Sequence, residues 1–142
     1  MINKRVLGLD LGSRTLGIAL SDSLGMIASG LETYKFKDND YGSALKRVKE
    51  ICEEKQVGLI VLGLPKHMNN DVGDKANISI EFKSMIENEI GIKVVLLDER
   101  WSTTLAEKRL ISANVSRKKR KEIIDKMAAV VILQDYLDST GG

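Results

Sequence analysis

Val6-Leu7-Gly8-Leu9-Asp10-Leu11-Gly12-Ser13-Arg14-Thr15-Leu16-Gly17-Ile18-Ala19-Leu20-Ser21 (residues 6–21) reads as two strands joined by a tight turn. Val6 to Gly12 is a short apolar segment. Thr15 to Ser21 alternates Leu16, Ile18 and Leu20 with smaller residues, the pattern of a strand with one buried face. Gly12-Ser13-Arg14 supplies the connection. The hairpin holds an anomaly: Asp10 sits in a segment otherwise built for burial, and a carboxylate buried without a partner costs several kcal/mol. A metal ion, a basic side chain or the amides of the following Gly-Ser turn would compensate it; the plainer role is a turn cap.

Working outward, Ala28 to Phe36 supplies a third strand through Leu31, Thr33 and Tyr34, which makes an antiparallel set of three. Tyr41, Ala44, Leu45, Val48, Ile51 and Cys52 follow the spacing of one helix face over 41–56. Gly58 to Leu64 is a continuous apolar run ending at Pro65, as in a parallel strand covered on both sides. A helix over 77–89 with Gly91 at its end, and a strand over 93–98, come next. Thr104 and Glu107 form a capping box for a helix through Leu110 or Ile111, and a last helix runs from near Ser116 to near Leu137. The expected fold is α/β: a mixed five-stranded sheet, three antiparallel N-terminal strands plus two parallel ones, flanked by helices. No linker or repeat divides residues 1–142, so one domain is expected.

Two more carboxylates share the oddity of Asp10. Asp98 and Glu99 follow the buried run Val94 to Leu97, at the strand end where α/β sheets place their ligand crevices. Successive strand residues face opposite sides, so only one of the two serves a common site. Glu99 is preferred, because its longer side chain reaches sideways toward Asp10 across one intervening strand, a gap of about 9 to 10 Å. Asp125, within Ile123-Ile124-Asp125-Lys126-Met127-Ala128-Ala129, shares a helical stripe with Ala128 and Ala129, whose small side chains let a helix approach the sheet. The plainer readings are a helix-terminal charge or an Arg100 pair for Glu99, and an ion pair with Lys121 for Asp125.

Three carboxylates without His or Cys make an oxygen-rich site suited to Mg²⁺ or Mn²⁺. Two such ions support phosphodiester hydrolysis. A glycosidase pair would want aromatic sugar platforms, and only 4% of the chain is aromatic. The lone Cys52 and lone His67 exclude an internal disulfide and a His/Cys zinc site. A cytoplasmic location fits, with no signal-peptide pattern after Met1 and no apolar run approaching the ~20 residues of a membrane span. The 142 residues carry a net charge of +2, but Arg117 to Lys121 are all basic, so the rest of the chain is net acidic.

The hairpin over residues 6–22, Gly63-Leu64-Pro65-Lys66 with Asn70 and Gly73, Asp98-Glu99-Arg100-Trp101-Ser102-Thr103-Thr104 and Asp125-Lys126-Met127-Ala128-Ala129 together resemble the motifs of the YqgF family, described both as Holliday junction resolvases and as pre-16S rRNA nucleases. The resemblance covers nearly the whole chain, with the motifs in order. It implies an RNase H-like fold, divalent-metal nuclease chemistry and Asp10, Glu99 and Asp125 as the acidic triad. It differs from many RNase H-like nucleases in that Leu62-Gly63-Leu64-Pro65 supplies no acid, so Glu99 serves from the next strand.

A nuclease must also hold phosphates. Arg117, Lys118 and Lys121 are the first candidates, the two lysines sharing the helix side of Asp125; Ser13, Arg14, Lys66 and Arg100 flank the expected site. Trp101 is more often packing than a base platform, and Cys52 and the methionines read as core. The leading function is 5′-end processing of pre-16S rRNA, with ribosomal precursor particles as a partner and no membrane. The alternatives are junction resolution, for which a homodimer would supply two cutting sites, and a binding or assembly factor without catalysis. The glycine-rich hairpin also resembles the phosphate loop of actin-like ATPases, but the chain is too short for their second lobe.

Overall fold

The computed structural model describes residues 4–12, 14–64, 72–98 and 117–140, with side-chain surroundings given for all of these except 72–76, 98, 117–125 and 140. Among the described residues eight elements occur in the order β1 (Arg5–Leu11), β2 (Thr15–Ser21), β3 (Ala28–Lys35), α1 (Tyr41–Lys55), β4 (Val57–Leu64), α2 (Val72–Glu89), β5 (Val94–Asp98) and α3 (Arg117–Thr140). They form a five-stranded sheet ordered β3-β2-β1-β4-β5. The β1–β2 and β2–β3 pairs are antiparallel and the β1–β4 and β4–β5 pairs parallel, as the sequence predicts. The capping-box helix expected after Thr104 lies outside the described residues.

Strand alternation sorts the side chains into two layers. Leu7, Leu9, Leu16, Ile18, Ile60, Leu62 and Val94 join Ala44, Val48 and Ile51 of α1 and Phe82 and Ile86 of α2 in the larger core. On the opposite side Ala19 and Val61 pack against Ala129, Ile132, Leu133 and Leu137 of α3, with Val6 and Leu97 at the edge. The apolar β4 run is thereby explained: both of its faces are covered.

Local chemistry sets the boundaries. Asp40 caps α1 by accepting from the Ser43 N–H, and Gln56 closes it in the left-handed region at φ 54°. Asp22 organises the β2–β3 turn: its Oδ1 accepts from the N–H groups of Met26 and Ile27 at 2.8 and 3.2 Å, while Gly25 takes φ 70°. Helix α2 begins five residues before the expected Asn77, because residues 72–76 are helical without carrying an apolar period. Met26, read as core, is 65% exposed at the turn, beside exposed Leu24 and Ile27.

Candidate active site

Asp10 lies one residue before the end of β1, half-buried, and alternation places it with Val6 and Gly8 on the α3 side of the sheet. Its antiparallel partner on β2 is Gly17, which pairs in turn with Thr33. On the parallel side, one step beyond the Leu9–Leu62 pair, stands Gly63, whose own neighbour on β5 is Leu97. The row across this face therefore reads Thr33, Gly17, Asp10, Gly63, Leu97. Asp10 has a glycine on each side, so no neighbouring strand side chain fills the space lateral to its carboxylate.

Close approach of α3 depends on another glycine. A Cβ on Gly8 would stand 2.6 Å from Leu133 Cβ and 2.9 Å from the Ala129 carbonyl oxygen. Ala128 and Ala129 are both fully buried, so small residues meet from the two sides, where the sequence had pointed only to the helical pair. The helix direction follows from its contacts with β3. Gln134 accepts from the Ala28 N–H at 2.9 Å and donates to the Met26 carbonyl at 3.0 Å, whereas Lys126 lies over Gly30, further along the strand. Because β3 runs parallel to β1, the N-terminal half of α3 extends toward the C-terminal end of β1.

Position 125 precedes Ala129 by about 6 Å of helix rise. Asp10 follows Gly8 by about 6.6 Å of strand. Both steps start from the Gly8–Ala129 contact and run to the same end of the sheet. Leu96 belongs to the larger core and Leu97 to the α3 side, and the strand β5 ends at Asp98.

Arg14 is exposed in the β1–β2 connection at this same end, its carbonyl accepting from the Phe36 N–H at 2.9 Å and its guanidinium a loose 3.8 Å from Asp38. Arg117, Lys118, Lys121 and Asp125 belong to the N-terminal half of α3, with their side chains outside the described set. Ser13, Lys66, Glu99 and Arg100, together with His67 and Trp101, lie outside the described residues. Among the described residues no three of His, Cys, Asp and Glu cluster as metal ligands, and Asp10 is the one predicted ligand with a described side chain. The donor chemistry at Asp10, a hard carboxylate near the end of β1, fits a Mg²⁺- or Mn²⁺-type ion.

The sequence reading missed the glycine floor of Gly8, Gly17, Gly30 and Gly63, and it missed Lys126. Every second position of 8, 10 and 12 being Gly, Asp and Gly was the available signal. Among the described residues no helix is long and apolar enough to cross a membrane.

Comparison with known proteins agrees with this geometry. RuvC of Thermus thermophilus bound to a Holliday junction substrate superposes with a TM-score of 0.62 at 17% identity, over 98% of this chain and 96% of that one. The fowlpox virus resolvase in its junction complex gives 0.53 at 14%, over 95% and 97%. At these identities the likeness establishes the fold, a RuvC-like RNase H fold. A Geobacillus protein named "Putative pre-16S rRNA nuclease" is 56% identical over 135 residues, covering 95% of this chain and 98% of its own. A Bacillus subtilis protein of the same name is 51% identical over 135 residues, with the same coverage. The family model described as "RuvX: Holliday junction resolvase" matches residues 4–139, and the chain belongs to that family.

Proposed function

We propose that this protein is a divalent-metal-dependent nuclease that trims the 5′ end of pre-16S rRNA, with Asp10, Glu99 and Asp125 as its metal-binding carboxylates. The observation that carries the reading is Asp10 itself, a carboxylate at a strand end, flanked by Gly17 and Gly63 and facing the helix that carries Asp125. Glu99 is preferred to Asp98 for the reach of its longer side chain, on the sequence argument. The name carried by relatives at 51–56% identity supports rRNA as the substrate.

The three carboxylates would hold two Mg²⁺ or Mn²⁺ ions. When bound, such ions supply Lewis-acid activation of a water and neutralise charge on the leaving oxygen. The chain's own part is positional. Gly8 and the Ala128–Ala129 pair set the helix-to-sheet distance, and Asp10 is fixed by β1, held between β2 and β4. Arg14 and the basic start of α3, Arg117, Lys118 and Lys121, attract the polyanion, with Ser13, Lys66 and Arg100 as further phosphate contacts. A cytoplasmic location is part of the same reading.

The test is cleavage of an RNA spanning the 5′ leader and the start of 16S by purified protein, with and without Mg²⁺ or Mn²⁺. Cleavage should require the ion and fall at least a hundredfold in Asp10→Asn. Equal activity without a divalent ion, or full activity of Asp10→Asn, refutes the mechanism. The family description and the RuvC-like fold favour a second reading, resolution of four-way DNA junctions by a homodimer. Symmetric cutting of a junction, with the RNA left intact, would select it. RNA binding that survives Asp10→Asn, with no cleavage of either substrate, would leave an assembly factor.

A further inference from the structure

We propose that Lys126 is a substrate-binding residue that holds a backbone phosphate on the β3 side of the acidic site. This rests on the nuclease reading for its substrate, and on independent geometry for its residue. Lys126 is half-buried on α3, immediately after Asp125. A Cβ built on Gly30 would stand 2.8 Å from its Cγ, 3.0 Å from its Cδ and 3.3 Å from its Cε. Three successive methylenes thus lie along the glycine of β3. Any side chain at position 30 would displace the stem.

No acid among the described residues claims this ammonium. Glu32, the nearest carboxylate of β3 in sequence, is on the opposite face, bound at both oxygens by Arg47 of α1 at 2.9 and 2.6 Å. Asp22 is engaged by the backbone of its turn, Asp38 faces Arg14 and Asp138 accepts from Gln134. Here the stem is ordered by the fold, so less of its rotamer entropy, about 2 kcal/mol for a free lysine, remains to be lost when an anion binds.

The location also fits a polyanion. Asp10 is on β1, β4 and β5 lie to one side of it, and β2 and β3 lie to the other. Glu99 follows the β5 side in sequence, whereas Lys126 sits over β3. A nucleic-acid strand passing the N-terminal half of α3, at the end of the sheet where β1 finishes, would meet the acidic site at β1 and the ammonium on the far flank. Holding the phosphate next to the scissile one fixes register without reading base sequence.

The experiment is equilibrium binding of a labelled RNA spanning the 5′ end of 16S, over a salt series and without divalent ions, so that cleavage is silent. Lys126→Met keeps the stem and removes the charge; Lys126→Arg keeps the charge; Lys126→Gln serves if the methionine variant is unstable, with thermal midpoints measured for all three. Removing one phosphate contact should flatten the slope of log K against log salt by about 0.7 to 0.9 and weaken binding roughly three- to tenfold, uniformly across sequences. Lys126→Arg should restore the slope. An unchanged slope and affinity in a folded Lys126→Met or Lys126→Gln protein overturns the proposal, as does a wild-type protein that does not bind the RNA. Failure of the metal mechanism is read separately: cleavage indifferent to Mg²⁺ refutes that reading and leaves the salt slope standing.

Discussion

Substituting Gly8 by alanine tests whether the site is built by close helix-to-sheet approach. The new Cβ would sit 2.6 Å from Leu133 Cβ, against a carbon–carbon contact distance of about 3.5 to 4.0 Å, so α3 must retreat by about 1 Å or β1 must buckle. Neither obstructing atom can swing away: one is a Cβ fixed by the helix backbone, the other the Ala129 carbonyl oxygen at 2.9 Å. Overpacking of this kind costs about 1–3 kcal/mol. Replacing a strand glycine by alanine restricts the unfolded chain and returns about 0.4–1 kcal/mol, leaving a net loss of about 1–2 kcal/mol. Gly30→Ala is the control. Its new Cβ meets only the Lys126 side chain, which can leave its seat on the exposed Gly30 for another rotamer over solvent, so stability should be near wild type.

In the proposed site, the retreat of α3 would also move Asp125 away from Asp10. A displacement of about 1 Å at a reacting centre can reduce turnover by about a hundredfold. Urea unfolding followed by far-ultraviolet circular dichroism gives the stability difference, and RNA cleavage by the folded variant gives the second. Gly8→Ala with wild-type stability and cleavage would refute the close-approach argument. So would a Gly30→Ala protein as destabilised as Gly8→Ala, because the two differ mainly in whether the obstructing atoms can move.

Three other outcomes follow from local contacts. Ser21 Oγ accepts from the Val6 N–H at 2.8 Å and donates to the Asp22 carbonyl at 3.0 Å, so Ser21→Ala should cost about 1–2 kcal/mol in urea unfolding; an unchanged midpoint would mean that water replaces the hydroxyl. Burial pushes the Cys52 thiol up to about 12, so a thiol reagent at mildly alkaline pH should react only as fast as the protein opens, and rapid labelling under native conditions would contradict the packing. Glu87 is held below the usual glutamate range, first by accepting from the Val94 N–H and then by the Lys83 ammonium. Its folded-state pKa is depressed, so its stabilisation is present at neutral pH and disappears as pH falls through that value. The stability gap between wild type and Glu87→Gln should therefore close on acidification, and a gap constant with pH would rule the ion out as its source.

Elements whose side chains alternate or repeat between water and core were legible in the sequence. The β1–β2 hairpin and α1 announce themselves through Leu16, Ile18 and Leu20 and through Ala44, Val48 and Ile51. The apolar run of β4 required a layer on each side, and the structure supplies α1 and α2 on one and α3 on the other. Where hydropathy is silent, the reading faltered. Residues 72–76 are helical without an apolar period. Met26 looked like core because methionine usually is, but it lies in a turn beyond the strand ends, its N–H bound by Asp22 and its carbonyl by Gln134. What decides its exposure is the absence of a layer over the turn, which no single residue encodes.

The glycines expose the same limit at the candidate site. Asp10 was conspicuous because a carboxylate in an apolar strand contradicts its surroundings, and that contradiction is visible in one dimension. Gly8, Gly17, Gly30 and Gly63 contradict nothing locally, since a glycine in a strand simply weakens it by offering no side chain to pack. They acquire meaning only when the sheet order brings them to one face. There Gly8 admits the α3 backbone, Gly30 admits the Lys126 stem, and Gly17 and Gly63 stand on each side of Asp10. Filling any one of them should therefore act by a different route: the helix moves for Gly8, the lysine moves for Gly30, and a side chain is set beside Asp10 for the other two. A Gly17→Ala or Gly63→Ala protein that folds stably yet cuts poorly would be the signature of that last route, because a methyl group added next to Asp10 is on the opposite face from the larger core.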